Sequence, residues 1–397
     1  MLEVEEAQQN ILAAIESITC EQSVGIAQAC NRVLAHDIVA KVNVPPADNS
    51  AMDGYAVNVY ELTDGQSEFP VSQRIPAGAA PSPLKAGSAA RIFTGSEIPQ
   101  NANAVIMQEN CEALDSERVR ILKTPNIGEN IRACGQDIKA EHTILTKGQR
   151  LKPQHIGLIA SIGESEVSVR RKIKVALLST GDELVEPGSP LKPGQIYNSN
   201  LPMLVSFLTM MGCEVIERTI VEDSYASTCQ ALESSAKDAD LVISTGGVSV
   251  GEEDHVKEAV KALGELAVWK VRVKPGKPLA FGKIGNTAFL GLPGNPVSAF
   301  VTFILFASPL LKKLQGEKDT APVSFYLPVN FAVSRAQTRP EYIRVRINNG
   351  KVEKFTNQSS GVLTSVCWAQ ALALIPSHKE MSVGDLVQVF PLDSFYI

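Results

Sequence analysis

The sequence predicts a multidomain α/β protein: a doubly wound, mostly parallel α/β domain joined to a helical domain, a β-rich inserted domain and a small C-terminal β domain. Three observations predict it. At 397 residues the chain exceeds what one hydrophobic core organises, which sets an expectation of two to four domains of roughly 100 to 200 residues each. From Lys172 onward, continuous apolar runs alternate with helix-length stretches, the pattern of strands buried on both faces between crossover helices. Between Val44 and about residue 141 the chain is instead rich in Gly, Pro, Ser and short β-like runs.

Composition excludes several classes. Hydrophobic residues at 44% and charged residues at 20% are ordinary for a folded chain. The net charge of -6 and pI near 5.6 argue against nucleic acid, since the one basic run, "VRRKIK" (169–174), is short. The N-terminus "MLEVEEAQQNILAAI" is acidic where a secretory signal needs positive charge. The longest uncharged run, Thr287 to Leu311, is broken by "PGNP", so no membrane span and a cytoplasmic location are expected. Seven cysteines without a CxxC pair and five histidines without zinc spacing read as reduced structural thiols.

In chain order, "VEEAQQNILAAIESI" and "VGIAQACNRVLAHDI" both carry apolar residues at helical spacing, until Val44-Pro45-Pro46 stops the pattern. "AARIF", "NAVIMQE" and "RVRIL" read as strands of the insertion, and "LKPQHIGLIASIGES" returns to a helix. "IKVALLST", "CEVIERTIV", "DLVISTGG", "AVWKVRV" and "TAFLGLPG" are strands, interleaved with the helices "NSNLPMLVSFLTMMG", "YASTCQALESSAKDA" and "DHVKEAVKALG". The helix "PVSAFVTFILFASPLLKKLQG" closes this domain, and "VSFYLPVNFAVS", "EYIRVRI" and "GDLVQVF" are strands of the last one. The expected divisions are 1–43 with 142–171 (helical), 44–141 (inserted), 172–317 (α/β) and 321–397 (C-terminal β).

Ligands of an open α/β sheet bind beyond the carboxyl ends of its strands. Three turns fall there: "STGDELVEPG" with Ser179, Thr180 and Gly181; "STGGVSVGEEDH" with Ser244, Thr245, Gly246 and Gly247; and "GLPGNPVS" with Pro293, Pro296 and Ser298. Any one alone reads equally as a plain tight turn, glycine being the default residue there. Three at one edge, with hydroxyls and small residues that let main-chain N-H groups approach, point to a phosphate-bearing ligand. None matches GxGxxG or GxxxxGK[ST]. Asp182, Glu183, Asp223, Glu252, Glu253 and Asp254 add hard oxygen donors of the kind magnesium takes, and "VKPGKP" holds Lys274 and Lys277 on a stiff turn. A solvated surface role is the alternative for any single charge. In the insertion, "NVPPADNSAMDGYAV" presents Asp48 and Asp53 on a turn eased by Gly54; "FTGSEIP" adds Thr94, and "GENIRACGQDI" adds Arg132 and Asp137. A pocket between domains is the expected setting.

Taken together, "PPADNSAMDGYAV", "FTGSEIP", "VIMQE", "GENIRACGQDI", "LSTGDELVEPG", "IYNSN", "STGGVSVGEEDH", "KPGKP" and "LPGNPVSAF" resemble, in order and spacing, the molybdopterin molybdenumtransferase family, which includes MoeA and the E domain of gephyrin. The resemblance covers essentially the whole chain. It implies a homodimeric enzyme that takes molybdate and adenylylated molybdopterin and, with magnesium, releases AMP and molybdenum cofactor. Its implied partners are a molybdopterin adenylyltransferase and downstream molybdoenzymes or their chaperones. The implied site lies between the α/β domain of one subunit and the insertion of the other, with the helical segments dimerising. Position by position, Asp53, Thr94, Arg132 and Asp137 match the functional residues of the insertion, Asp53 reaching across the dimer and Asp48 shaping the turn. Glu183, Asp223 and Asp254 match the α/β carboxylates, which with Asp53 would hold magnesium; Gly246 and Gly247 lie near the pterin phosphate. Lys274, Lys277, Ser298 and Arg339 resemble the molybdate cluster, cations and donors suited to a tetrahedral dianion. The chain departs from the family pattern at "PQNANAV", at Gln136, and at "SVCWAQALALIP", where Trp368 and Gln370 replace the usual Ala-Asn-Gly-Leu or Ala-Asn-Ala-Leu. Alternative readings are an adenylyltransferase-like enzyme, which usually has the "STGGVSVGEEDH" domain alone, and a gephyrin-like scaffold, which needs further domains.

Overall fold

The computed structural model describes residues 1–62, 67–248 and 255–395. The α/β unit is built on a six-stranded sheet in the order Glu214–Val221, Lys174–Thr180, Leu241–Thr245, Thr287–Leu292, Ala280–Ile284, Gly264–Trp269. The first four strands are parallel and the last two antiparallel. Strands such as Leu241–Thr245 are buried at every position because both faces are covered. Tyr225–Asp238 and His255–Leu263 pack on one side of the sheet through Leu232, Val256, Ala259 and Val260. Asn200–Met210 and Pro296–Leu314 pack on the other, where Phe207 stacks on Phe303 at a centroid distance of 4.7 Å.

Pro296–Leu314 has the length and composition to cross a membrane, with a mean hydropathy of 1.6, but 89% of its apolar window is buried inside the protein. It is a core helix. The N-terminal helix Val4–Ala13 joins the same core through Val4, Ala7 and Ile11, and Gln8 Nε2 donates to the Leu305 carbonyl at 2.7 Å.

The stretch expected to hold a second N-terminal helix does otherwise. Glu21–Gly25 is a strand paired antiparallel with Glu166–Arg170, and only one helical turn, Ile26–Ala29, follows. Its apolar residues cover the Pro153–Ser161 helix, so long-range pairing overrides a helical spacing. The strand Ala280–Ile284, not expected from the sequence, forms a hairpin with Thr287–Leu292.

The insertion is a six-stranded sheet in the order Ala104–Met107, Gly54–Val57, Ala89–Ile92, Glu68–Ile75, Arg118–Ile121, Cys111–Ala113. The C-terminal unit is a five-stranded antiparallel sheet in the order Phe325–Pro328, Leu386–Pro391, Ala371–Ile375, Glu341–Asn348, Lys351–Lys354. Phe303→Ala would empty a fully buried ring site and should lower unfolding stability by about 3–5 kcal/mol; chemical denaturation followed by circular dichroism checks this, and a cost below about 1 kcal/mol would contradict the packing.

Candidate active site

Ser179, Thr245 and Leu292 are register partners on three adjacent parallel strands, so the turns that follow emerge side by side. The hydroxyls of Ser179, Thr180 and Ser244 are buried there and have no hydrogen-bond partner among the described residues. A buried hydroxyl left without a partner costs ~1–3 kcal/mol, so three together make this edge a candidate for contact with further polar groups. Thr245 is satisfied internally: its Oγ1 donates to the Pro293 carbonyl at 3.1 Å and accepts from Asn200 Nδ2 at 2.9 Å. Asn200 Nδ2 also donates to the Gly294 carbonyl at 2.7 Å, stitching the third turn to the second. Gly246 and Gly247 take φ of 90° and 61°, which only glycine adopts without strain, so a close approach to the main chain stays open. At the outer corner Asp182 Oδ1 accepts from the Asp223 amide at 3.1 Å, bringing the exposed Glu183 and Asp223 into one corner. Asp254, with Glu252 and Glu253, lies outside the described residues.

The cationic loop Val273–Pro278 lies against the start of the Pro296 helix. A Cβ at Gly276 would fall 2.4 Å from Thr302 Cγ2, leaving no room for a side chain. The C-terminal sheet holds this loop from the other side: Arg339 Nη1 donates to the Val273 carbonyl at 2.9 Å, and Lys274 Nζ pairs with Glu341 at 3.1 Å. Lys277 is exposed and Ser298 is buried on the helix's first turn. The Val297 amide donates to the Ser360 carbonyl at 3.1 Å. Three residues along the strand from Glu341, Arg344 is fully buried, and among the described residues its guanidinium has only neutral acceptors: Ser365 Oγ at 3.1 Å and the carbonyls of Tyr342 and Ser359 at 3.4 and 3.3 Å. Burial pulls its guanidinium down to about 10, against a smaller opposing pull from Glu341. A buried cation without a carboxylate is costly unless an anion completes it.

In the insertion, Asp53 Oδ1 accepts from the amide and the hydroxyl of Thr94, both at 2.8 Å. The amide, then the hydroxyl, hold the Asp53 carboxyl below its ordinary range. Gly54 serves a reason other than the turn first expected: a Cβ would lie 1.8 Å from the Ile106 carbonyl oxygen, so the strands meet only through glycine. Asp48 shapes the turn, its Oδ1 accepting from the Cys134 amide at 2.7 Å. Arg132 pairs in register with Asn49, and the Asp137 amide donates to the Val44 carbonyl at 3.0 Å, so both exposed side chains stand on the rim that carries Asp53.

The structure thus forms three groups: the sheet edge, the cationic loop joined to it through Pro293 and Ser298, and the insertion rim. Sequence reasoning missed Asn200 and Arg344. "IYNSN" was the available signal for the first, whereas Arg344 lies in an alternation that reads as a solvent-facing position. Trp368 and Gln370 are structural: Trp368 packs on Phe355 at 5.2 Å and lies under Arg346, and Gln370 Oε1 accepts from the Ile347 amide at 3.0 Å.

A mostly parallel sheet with hydroxyls gathered at its carboxyl edge, flanked by carboxylates and a cationic loop, is the arrangement of an α/β enzyme. Family models match three stretches: the MoeA N-terminal region (domain I and II) over 2–163, a probable molybdopterin binding domain over 176–313, and the MoeA C-terminal region (domain IV) over 326–392. The chain is 41% identical to the molybdopterin molybdenumtransferase of Haemophilus influenzae, covering 99% of both chains, and 36% identical to molybdopterin molybdenumtransferase 2 of Mycobacterium tuberculosis, covering 93% of this chain and 95% of that one. The crystal structure of the molybdopterin biosynthesis MoeA protein from Pyrococcus horikoshii OT3 superimposes with a TM-score of 0.86 at 28% identity, over 98% of this chain and all of that one. The chain belongs to the MoeA family of molybdopterin molybdenumtransferases, enzymes of molybdenum cofactor biosynthesis.

Because the folded pKa of Asp53 lies below its unfolded value, its stabilising contribution is present at neutral pH and fades as pH falls through the carboxylate range. Thr94→Val deletes the hydroxyl donor and keeps the amide. The Asp53 midpoint, read by carboxyl carbon NMR, should move up yet stay below the ordinary value; an unchanged midpoint would remove the hydroxyl from the pair.

Proposed function

We propose that the chain is a molybdenum insertase that takes adenylylated molybdopterin and molybdate and, with magnesium, releases AMP and molybdenum cofactor. The observation that carries this reading is the trio of orphaned hydroxyls, Ser179, Thr180 and Ser244, at the mouth of the parallel sheet in a chain that aligns with one such enzyme over 99% of both sequences. Phosphate and pterin edges supply the polar groups such hydroxyls lack, with Gly246 and Gly247 leaving their amides approachable.

The donor set suits magnesium: oxygen carboxylates at Glu183 and Asp223, joined in this reading by Asp254 and the partner copy's counterpart of Asp53. When bound, magnesium supplies charge neutralisation at the phosphoanhydride. The protein's own residues do the rest. Asp53, kept ionised by Thr94, and the rim residues Arg132 and Asp137 grip the nucleotide, and a carboxylate orients water. Lys274, Lys277, Ser298 and Arg339, with Arg344 behind them, form the cationic pocket for molybdate, where Arg344 finds the anion its burial calls for. Two copies complete each site in a cytoplasmic homodimer that receives substrate from an adenylyltransferase and hands product to molybdoenzymes or their chaperones.

AMP formation from adenylylated molybdopterin should depend on magnesium and be accompanied by reconstitution of an apo-molybdoenzyme only with molybdate; tight binding without turnover would overturn the reading. Asp254→Asn should abolish AMP release with the circular dichroism spectrum unchanged. Arg344→Met, which removes a buried charge without opening a large cavity, should raise the molybdate KM roughly tenfold or more while leaving binding of the adenylylated pterin intact. A monomeric mass in light scattering would refute the shared site.

A further inference from the structure

Where the cationic loop meets the C-terminal sheet, Glu341 is an acid set among groups read as taking an anion. Its side chain is 12% exposed, and its Oε1 accepts from Lys274 Nζ at 3.1 Å. The two residues also form a parallel bridge: the Lys274 amide donates to the Pro340 carbonyl at 3.0 Å, and the Tyr342 amide donates to the Lys274 carbonyl at 2.8 Å. Those main-chain bonds already join the loop to the start of the strand Glu341–Asn348. The carboxylate is not needed for that joint, and its effect falls on the Lys274 ammonium instead.

A lysine side chain has among the largest rotamer entropies, so an ammonium placed by a partner meets an incoming anion with its ordering already done. The Lys274 side chain is 40% exposed and therefore reachable. An ammonium carries three N-H donors and the bond to Glu341 engages one, so the group can serve the carboxylate and an oxyanion together. Glu341 also subtracts charge. Besides facing Lys274, it pulls on the Arg344 guanidinium against the larger effect of burial. A nearly buried carboxylate is screened less by solvent than a surface one, so an anion arriving beside Lys274 feels its repulsion.

We propose that Glu341 is a positioning residue of the oxyanion pocket: it holds the Lys274 ammonium in place and, by its charge, keeps anion binding looser than the cations alone would make it. The proposal rests on the reading of Lys274, Lys277, Ser298 and Arg339 as the molybdate cluster. An oxyanion that has to leave the pocket for the pterin gains nothing from being held tightly before it reacts.

Substitution separates the two effects, because Gln keeps an oxygen for Lys274 Nζ without the charge and Ala removes both. Titration calorimetry of the full chain with sodium molybdate, at constant ionic strength, reads the affinity directly. Glu341→Gln should bind molybdate roughly fivefold tighter than the wild type. Glu341→Ala, with the same net charge, should bind it roughly threefold weaker than Glu341→Gln. Adding Lys274→Met to both should erase the difference between them, which a purely structural joint would not do. Equal affinities for the Gln and Ala variants, or a Gln variant no tighter than the wild type, overturn the proposal. Should Glu341→Ala fail to fold, Glu341→Asp replaces it: the charge stays but the arm is one methylene shorter, so molybdate should bind roughly threefold weaker than to the wild type, and an unchanged affinity overturns the positioning role. A wild-type chain that binds no molybdate would remove the molybdate reading itself, whereas wild-type binding with an unaltered Gln variant removes only the role of Glu341.

Discussion

Four parallel strands covered on both faces leave the active-site region little freedom. Polar side chains are expelled from the strand interiors, so Ser179, Thr180, Ser244 and Thr245 occur where the strands end, and the register of Ser179 with Thr245 and of Thr245 with Leu292 brings those ends level. The three unpartnered hydroxyls cost ~1–3 kcal/mol each. They are tolerated because the sheet is clamped between two apolar layers, one running from Val175 through Phe303 to Leu311 and the other from Ala176 to Phe289. Stability generated in the layers thus holds an incompletely satisfied edge in place.

The same constraint explains the docking of the C-terminal sheet. A loop carrying Lys274 and Lys277 next to a helix N-terminus would repel itself and wander if nothing opposed it. Glu341 takes Lys274, the Val273 carbonyl takes Arg339, and the Ser360 carbonyl takes the Val297 amide. These contacts fix the loop while leaving Lys277 exposed and Arg344 uncompensated, so net positive charge remains at the junction. Arg344 is held by acceptors at 3.1 to 3.4 Å, longer than the charge-assisted bonds that Arg171 makes to Asp240.

What the sequence made legible follows the same physics. Runs such as "IKVALLST" and "DLVIST" announce themselves because a strand buried on both faces must be apolar throughout, and the turns beyond them are rich in hydroxyl and glycine for the reasons just given. The segment after Glu21 misled because Val24, Ile26, Ala29, Val33 and Leu34 satisfy helical spacing while the deciding partner, Glu166–Arg170, lies far along the chain. Arg344 was illegible for a different reason. In "EYIRVRI" an arginine every second residue signals a solvated face, yet Tyr342 and Arg344 on that face are buried because a short helix and the 358–360 loop cover it, while Ile343 and Val345 face the C-terminal core on the other side. Nothing local in the strand encodes that cover.

That short helix, Thr364–Trp368, also gives the family departure its physical meaning. Arg344 and Arg346 point to one side of their strand by the two-residue repeat, and the helix lies over that side, offering Ser365 Oγ to Arg344 at one end and the Trp368 ring to Arg346 at the other. Trp368 is wedged between Arg346 and Phe355, and Gln370 fastens the following strand through the Ile347 amide. Both substituted residues therefore act as anchors two strand positions away from the buried arginine. A helix held more firmly at its far end keeps Ser365 aligned on Arg344, so Trp368 and Gln370 steady the buried arginine without touching it.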